Sequence, residues 1–279
     1  MNIVTECFKK EKIDIYWKNM RPTLNSANIV FYSPTGTSRK IARAIGDGLR
    51  LSQLSEFDIT FSPKNLVIDN TNTLTVFVVP VYGGRVAITA LERMHSIKGN
   101  NSLAAVVVVY GNRHYDDALI ELRDEVEKMG FIPVAGAAFV GEHSFSTKEM
   151  PVAAGRPDMY DISMSEHFGK EVVDKINSVV SFGKLHVPGN YPYRERSPKQ
   201  NVAPVSTDDC NACGVCVDSC PTGAIEFNDR GEITTDTSKC TLCCACVKSC
   251  PHNARVFETP FTKILFENFR ERKNPEFFF

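Results

Sequence analysis

Nine of the ten cysteines of this chain lie between Cys210 and Cys250, and the two hundred residues before them hold only Cys7. Cys210, Cys213, Cys216 and Cys220 are followed by Pro221, and Cys240, Cys243, Cys246 and Cys250 by Pro251. The two runs share one spacing, so the segment is an internal repeat offset by thirty residues. Clustered thiolates hold iron–sulfur centres or zinc. One four-cysteine zinc site leaves five thiols unexplained. Two zinc sites fit the count, but three closely spaced cysteines with a trailing proline are not a zinc habit. The spacing therefore points to two [4Fe–4S] clusters. Cys244 is one residue off the pattern and reads as a small apolar side chain or a donor to a cluster sulfur, with a redox-active thiol the lesser alternative. Cysteines bunched in this way, without an export signal, favour metal ligation in a reducing, cytoplasmic setting over disulfides.

A second constellation is "SPTGTSRKIA", where an apolar run meets a helical pattern. Ser33, Thr35, Thr37 and Ser38 supply hydroxyls, Gly36 permits a tight turn, and the helix start supplies free N–H groups, which together make a phosphate nest. No Gly-Lys-Ser/Thr follows, and Gly-x-Gly-x-x-Gly is absent, so neither a nucleoside triphosphate nor a dinucleotide is indicated. Two further segments, "PVYGGR" (Pro80, Val81, Tyr82, Gly83, Gly84, Arg85) and "YGNRHYDD" (Tyr110, Gly111, Asn112, Arg113, His114, Tyr115, Asp116, Asp117), close apolar runs with an aromatic residue and glycine backbone, which suits a flat ring. Each tyrosine taken alone reads equally as a half-buried surface aromatic. The aperiodic stretch after Gly141 is expected to bring His143–Ser146 to a bound ring or to a neighbouring domain; a plain covering loop and a structural His143 are the simpler alternatives.

The elements that must position these groups alternate. Apolar runs at Ile29–Ser33, Phe57–Phe61, Leu74–Pro80, Leu103–Gly111 and Phe131–Gly141 read as strands, separated by amphipathic stretches, with a last helix over Met159–Val180. No helix is evident between the second and third strands. The pattern implies an α/β open parallel sheet with helices on both faces. The expected organisation is an N-terminal extension over 1–27 (an edge strand or arm at "KIDIYW", or no fixed structure), a sheet domain over 28–182, a Pro-rich linker over 183–205, a small α+β cysteine domain over 206–258 and a tail over 259–279 with a short helix. The three terminal phenylalanines must pack on something. Lys and Arg number 32 against 33 Asp and Glu, which argues against binding to nucleic acid or a charged membrane surface. No apolar run is long enough to span a bilayer.

Residues 206–257 resemble a bacterial two-cluster ferredoxin, on "GVCVDSCPTGAI" and its echo "CACVKSCPHNAR". That resemblance implies crossed ligation, the fourth cysteine of each run serving the other cluster: Cys210, Cys213, Cys216 and Cys250 for one, Cys240, Cys243, Cys246 and Cys220 for the other. The hydroxyl loop resembles the FMN phosphate loop of flavodoxins, with Ser38 in place of the usual last threonine. By the same resemblance Tyr82 or Tyr115 stacks on the flavin, backbone at Gly83, Gly84 and Gly111 approaches it, and Asn112 and Arg113 face its polar edge. From about Asn28 onward the chain is thus similar to flavodoxin–ferredoxin fusion proteins of anaerobic bacteria and archaea. This implies electron transfer between two clusters and FMN, linking a redox partner protein to a further donor or acceptor. Flavin-dependent reduction of a quinone, nitro compound or disulfide is the alternative function, and an oxygen or redox sensor a weaker one. The oligomeric state stays open, a homodimer included. The 206–258 region carries eight acidic residues, from Asp208 to Glu258, against four basic ones, and is expected to dock a basic patch on its partner.

Overall fold

A computed structural model describes residues 24–68, 72–179 and 181–279; the expected arm at "KIDIYW" lies outside them. In chain order the elements are β1 (Ser26–Phe31), α1 (Thr37–Leu49), β2 (Gln53–Asp58), β3 (Leu66–Ile68), β4 (Thr73–Tyr82), β5 (Arg85–Val86), α2 (Ile88–Met94), β6 (Ile97–Gly99), β7 (Ser102–Tyr110), α3 (Ala118–Lys128), β8 (Phe131–Val140) and α4 (Met159–Ser178). Beyond them come β9 (Val205–Ser206), α5 (Val215–Asp218), β10 (Ile225–Phe227), β11 (Ile233–Thr235), α6 (Ala245–Lys248), β12 (Arg255–Val256), α7 (Pro260–Asn268) and β13 (Glu276–Phe278).

The main sheet runs β13-β8-β7-β4-β1-β2, with β5 hairpinned onto the end of β4. All pairs from β2 to β8 are parallel. Taking these five strands alone, the spatial order is second, first, third, fourth, fifth, the flavodoxin-like arrangement whose ligand crevice opens between the first and third. β7 shows why the interior strands read as unbroken apolar runs. Ala104, Val106 and Val108 enter the core on one face and Leu103, Ala105, Val107 and Val109 the core on the other, so both pleat faces are dry. α2 and α3 cover the first core, through Leu91, Met94, Leu119 and Leu122. α1 and α4 cover the second, through Ile41, Ile45, Phe168 and Val172.

α1 and α4 cross with backbone nearly touching. A Cβ on Gly48 would strike the Glu166 carbonyl, and one on Gly169 the Ile45 carbonyl.

β2 lies earlier than the apolar residues suggested. It is the sheet's outer strand, its side chains are mostly exposed, and its polarity hides it. The apolar signal at Phe57–Phe61 marks where the chain leaves the edge: Ile59 is buried, its N–H donating to the Phe31 carbonyl at 2.9 Å. The crossover that follows contains no helix among its described residues; β3 pairs with β6 in a separate two-stranded sheet.

The tail returns to the main sheet. β13 pairs antiparallel with β8, setting Phe277 opposite Ala137. Phe277 meets Phe139 and Phe168 at centroid distances of 5.7 and 5.1 Å, and Phe279 meets Phe168 at 5.7 Å. Phe277 and Phe278 are thereby half-buried, whereas Phe279 packs on Phe168 with one side still exposed.

The stretch 183–204 has no helix or strand but is riveted to α3. Asp117 accepts from the backbone N–H groups of Asn190 (2.8 Å) and Arg194 (2.7 Å). Glu121, 3% exposed, takes Arg85 at 2.6 Å and Arg196 at 2.8 Å, and the Tyr193 hydroxyl donates to Asp124 at 2.6 Å. No helix among the described residues is long and apolar enough to cross a membrane.

Gly48→Ala carries a direct test of the helix crossing. Alanine improves helix propensity by about 1 kcal/mol, but overpacking costs about 1–3 kcal/mol, and the struck atom is backbone that cannot rotate away. Net destabilisation is expected in a denaturant titration, whereas a neutral or stabilising result removes the close approach.

Candidate functional site

At the end of β1 the chain turns through residues 33–36 into α1. Gly36 caps the helix at φ 84°, a left-handed value suited to glycine. Gly36 offers no side-chain cap and the first turn holds no acidic residue, so the N–H groups of Thr37 and Ser38 and the positive end of the helix dipole stay available. Ser33 is fixed at both ends: its N–H donates to Thr60 Oγ1 at 2.9 Å, and its Oγ accepts from the Arg39 N–H at 2.9 Å. The Thr35 and Thr37 hydroxyls are 3.4 Å apart. Ser38 is 1% exposed, and its Oγ has no hydrogen-bond partner.

These residues border a hollow of about 230 Å³ at the carboxyl ends of β1, β4 and β7. Its walls are Ser33, Pro34, Thr35, Thr37 and Ser38; residues 80–83, among them Pro80, Val81, Tyr82 and Gly83; residues 109–111, with Tyr110 and Gly111; residues 141–145; and Thr241, Leu242 and Phe261. An unpartnered buried hydroxyl, an uncapped helix and two tyrosines in one concave site fit an anionic group joined to a planar ring, the two parts of FMN.

The second ring loop departs from the sequence expectation beyond Gly111. Asn112 is 1% exposed and donates to the carbonyls of Phe269 (2.6 Å) and Glu271 (2.8 Å). Lys273 donates to the Arg113 carbonyl at 2.6 Å, and the Arg113 guanidinium pairs with Asp116. Tyr115 is buried in the core, with its hydroxyl donating to Glu276 at 3.0 Å. The Gly84 carbonyl accepts from the Asp117 N–H at 3.1 Å, and a Cβ on Gly84 would run into Asp116. Gly84, Asn112, Arg113, Tyr115 and Asp116 therefore do not border the hollow, because the returning tail and the start of α3 engage them. Tyr82 is the tyrosine of that pair that faces it. Burial, with the neighbouring Cys243 thiol, raises the Tyr82 phenol well above its ordinary pKa.

The cysteines border two smaller hollows. Cys210, Cys213, Cys216 and Cys250 line one, beside Pro251 and His252. Cys220, Cys240, Cys243 and Cys246 line the other, beside Pro221 and Cys244. Each hollow thus gathers three cysteines of one run and the last of the other. A local two-fold relates the repeats. The Ala224 N–H donates to Cys220 Sγ at 3.2 Å, and the Ala254 N–H to Cys250 Sγ at 3.3 Å. Ser219 and Ser249, equivalent in the repeat, join their hydroxyls at 2.9 Å. Cys244 occupies the place of Gly214: both are left-handed helix caps, at φ 55° and 81°. The spare thiol is 2% exposed and packed, its Sγ 3.7 Å from the Leu242 carbonyl. The nine described cysteines are all free. Among the described residues no three His, Cys, Asp or Glu side chains converge on a single-ion point.

The inner cysteine hollow abuts the large one through Thr241, which borders both, and the long loop after β8 completes the seam. Lys248 on α6 pairs with Glu142 at 2.5 Å and donates to the Ser146 carbonyl at 2.9 Å. Phe145 meets Phe257 at 5.1 Å and Phe261 at 6.5 Å. Arg93 of α2 donates to the Pro221 carbonyl at 2.5 Å. His143 to Ser146 thus serve both surfaces named from the sequence: residues 143–145 border the large hollow, and Phe145 and Ser146 meet the cysteine region. Thr241, Leu242 and Phe261 are missed in the sequence, since nothing local marks a residue that faces across a domain junction.

The fold and these sites define a class: a flavodoxin-like sheet joined to a ferredoxin-like iron–sulfur domain. Residues 209–254 match the family model of the 4Fe–4S dicluster domain. The chain is 54% identical over 37 residues to a probable ferredoxin of Methanosarcina thermophila, covering 13% of this chain and 64% of that one, so it spans under two thirds of that relative's length. Among solved structures it is similar to a flavodoxin from the domain Archaea, at TM-score 0.37 and 13% identity, over 54% of this chain and 98% of that one. It is likewise similar to oxidised flavodoxin 1 of Bacillus cereus, at 0.37 and 16%, over 53% and 97%. Rubredoxin oxygen:oxidoreductase of Desulfovibrio gigas gives 0.39 and 11%, over 59% and 39%. The flavodoxin-like assignment rests on the strand order itself.

His143 gives the site a pH signature. Burial first, then the charges of Arg113 and Lys248, lower its pKa from 6.5 to about 4, and Nδ1 accepts from the Phe145 N–H at 3.0 Å, which requires a neutral ring on that side. The unfolded chain therefore takes up a proton that the folded one refuses. The His143 contribution is complete above pH 6.5 and falls away as the pH drops towards 4. His143→Asn keeps an acceptor at that atom without the titration, so denaturation curves should lose part of their pH slope in that window; an unchanged slope refutes the buried neutral histidine.

Proposed function

We propose that this chain is an intramolecular electron-transfer protein that holds two [4Fe–4S] clusters and one FMN and links a low-potential redox partner protein to a further donor or acceptor. Cys210, Cys213, Cys216 and Cys250 hold the outer cluster, and Cys220, Cys240, Cys243 and Cys246 the inner one. The hydroxyls of Ser33, Thr35, Thr37 and Ser38, with the Gly36 turn, hold the flavin phosphate; residues 80–83 with Tyr110 and Gly111 enclose its ring. When bound, the clusters exchange single electrons and the flavin one or two.

The observation that carries this reading is the shared wall: Thr241 and Leu242, within the loop between Cys240 and Cys243, border the same hollow as the phosphate loop. The chain's own work is placement. The phosphate loop anchors one end of the flavin, Tyr82 walls the ring on the side towards Cys243, Phe145 and Phe261 close the crevice to water, and Lys248 fixes the cysteine loop against Glu142. No side chain at the site is required as an acid or base.

Isolation of the full chain without oxygen, followed by counting, tests the reading. About eight iron and eight sulfide atoms and one FMN per chain are expected, with reduction in separable steps. Zinc in place of iron, or a chain that retains clusters but no flavin, overturns it. Ser38→Ala removes one hydroxyl from the phosphate nest and should weaken FMN binding by about tenfold to a hundredfold in a fluorescence titration, the weight of one hydrogen bond to a charged group. Unchanged affinity would place the phosphate elsewhere.

A further inference from the structure

The two halves of the cysteine repeat differ in charge at one buried position. Five residues after Cys220 stands Ile225; five after Cys250 stands Arg255. They are 4% and 2% exposed. Ile225 borders the inner cysteine hollow and Arg255 the outer one, as the two-fold requires.

The Arg255 guanidinium does not stay on its own side. Nη2 donates to the Pro204 carbonyl and to Thr235 Oγ1, both at 2.7 Å, and Nη1 to Ser206 Oγ at 3.0 Å. Pro204 and Thr235 border the inner hollow. All three acceptors are neutral oxygens, and Nε has no partner. A guanidinium buried without a counter-anion is costly, and a thiolate-ligated cluster, which becomes more negative on reduction, is an anion of the right kind. Arg93, bonded to the carbonyl of Pro221 beside Cys220, adds a second positive group on the same side.

We propose that Arg255 is the positioning charge that makes the two clusters inequivalent, setting the reduction potential of the inner cluster, beside the flavin hollow, above that of the outer. The inference rests on the function proposed above. An electron supplied by the redox partner reduces the outer cluster, near the exposed Cys213. That cluster is reoxidised as the inner one is reduced, one electron for one electron, with no proton or co-reactant. The charge gradient runs towards the flavin because a fixed positive charge in a water-excluded site stabilises the reduced state it faces.

The test is a reductive titration of the full holoprotein followed by electron paramagnetic resonance, comparing the native chain with R255Q, R255M and R255K. A Cys213→Ser background, which disables the outer set, identifies the inner step. In whichever neutral variant carries its full iron, the reduced-to-oxidised ratio of the inner cluster at fixed potential should fall at least tenfold, about 59 mV for a one-electron couple. The outer step should move less, and R255K should stay within about threefold of the native ratio. An unmoved inner step, a larger outer shift, or an R255K shift equal to that of the neutral variants overturns the role of the charge. So does a native protein whose two clusters reduce together, which needs no variant to fold. Iron, sulfide and flavin counts separate the two failures: absent clusters sink the proposed function, whereas loaded clusters with unmoved potentials sink only the role of Arg255.

Discussion

One ammonium group bonds twice across the junction between the two halves of this molecule. Lys248 ends the single helical turn of α6, which contains Cys246 and precedes Cys250, and its charge is taken by Glu142 and the Ser146 carbonyl on the loop that leaves β8. Both partners are about 30% exposed, so the pair is shielded enough to be directional without bearing the full cost of desolvation. Around it Phe145, Phe257 and Phe261 supply the apolar contact that a polar latch alone would lack. The same seam lies beside Thr241, which borders both the large hollow and the inner cysteine hollow.

The cysteine region shows how a duplicated sequence becomes a two-fold object and then loses part of its symmetry. Equivalent serines meet at its centre, and equivalent N–H groups address equivalent sulfurs. The departures lie where the region borders the rest of the chain. Cys244 takes a left-handed cap that Gly214 fills in the first copy, beside the wall facing the crevice. Arg255 replaces an aliphatic residue and ties the interior to the Pro-rich segment through Pro204 and Ser206.

How much of this was legible in the sequence depended on how local each signal was. That the cysteines gather in two groups was legible because the same spacing recurs in two short runs, and that Ser33, Thr35, Thr37 and Ser38 border one hollow because hydroxyls, glycine and helix start are contiguous. β4, β7 and β8 were legible because burial on both faces leaves an uninterrupted apolar run. β2 was misplaced because an edge strand needs no such run. Tyr115 and Asn112 looked like ring-binding residues from their position after a strand. Their fate was decided by Glu276, Phe269 and Glu271, more than 150 residues away, and no local pattern announces such partners.

The cysteine region is joined to the sheet at two places rather than one. The chain leaves the sheet after α4, runs along α3, forms the cysteine repeat, and returns through α7 to lay β13 against β8. A module on one tether can swivel about its link. A module pinned at entry and exit keeps only rotation about the line joining the two pins, and the Lys248–Glu142 pair with the Phe145–Phe257 contact opposes that one. A joint of this kind holds the separation between the crevice and the cysteine hollows nearly constant without needing a large interface to do so.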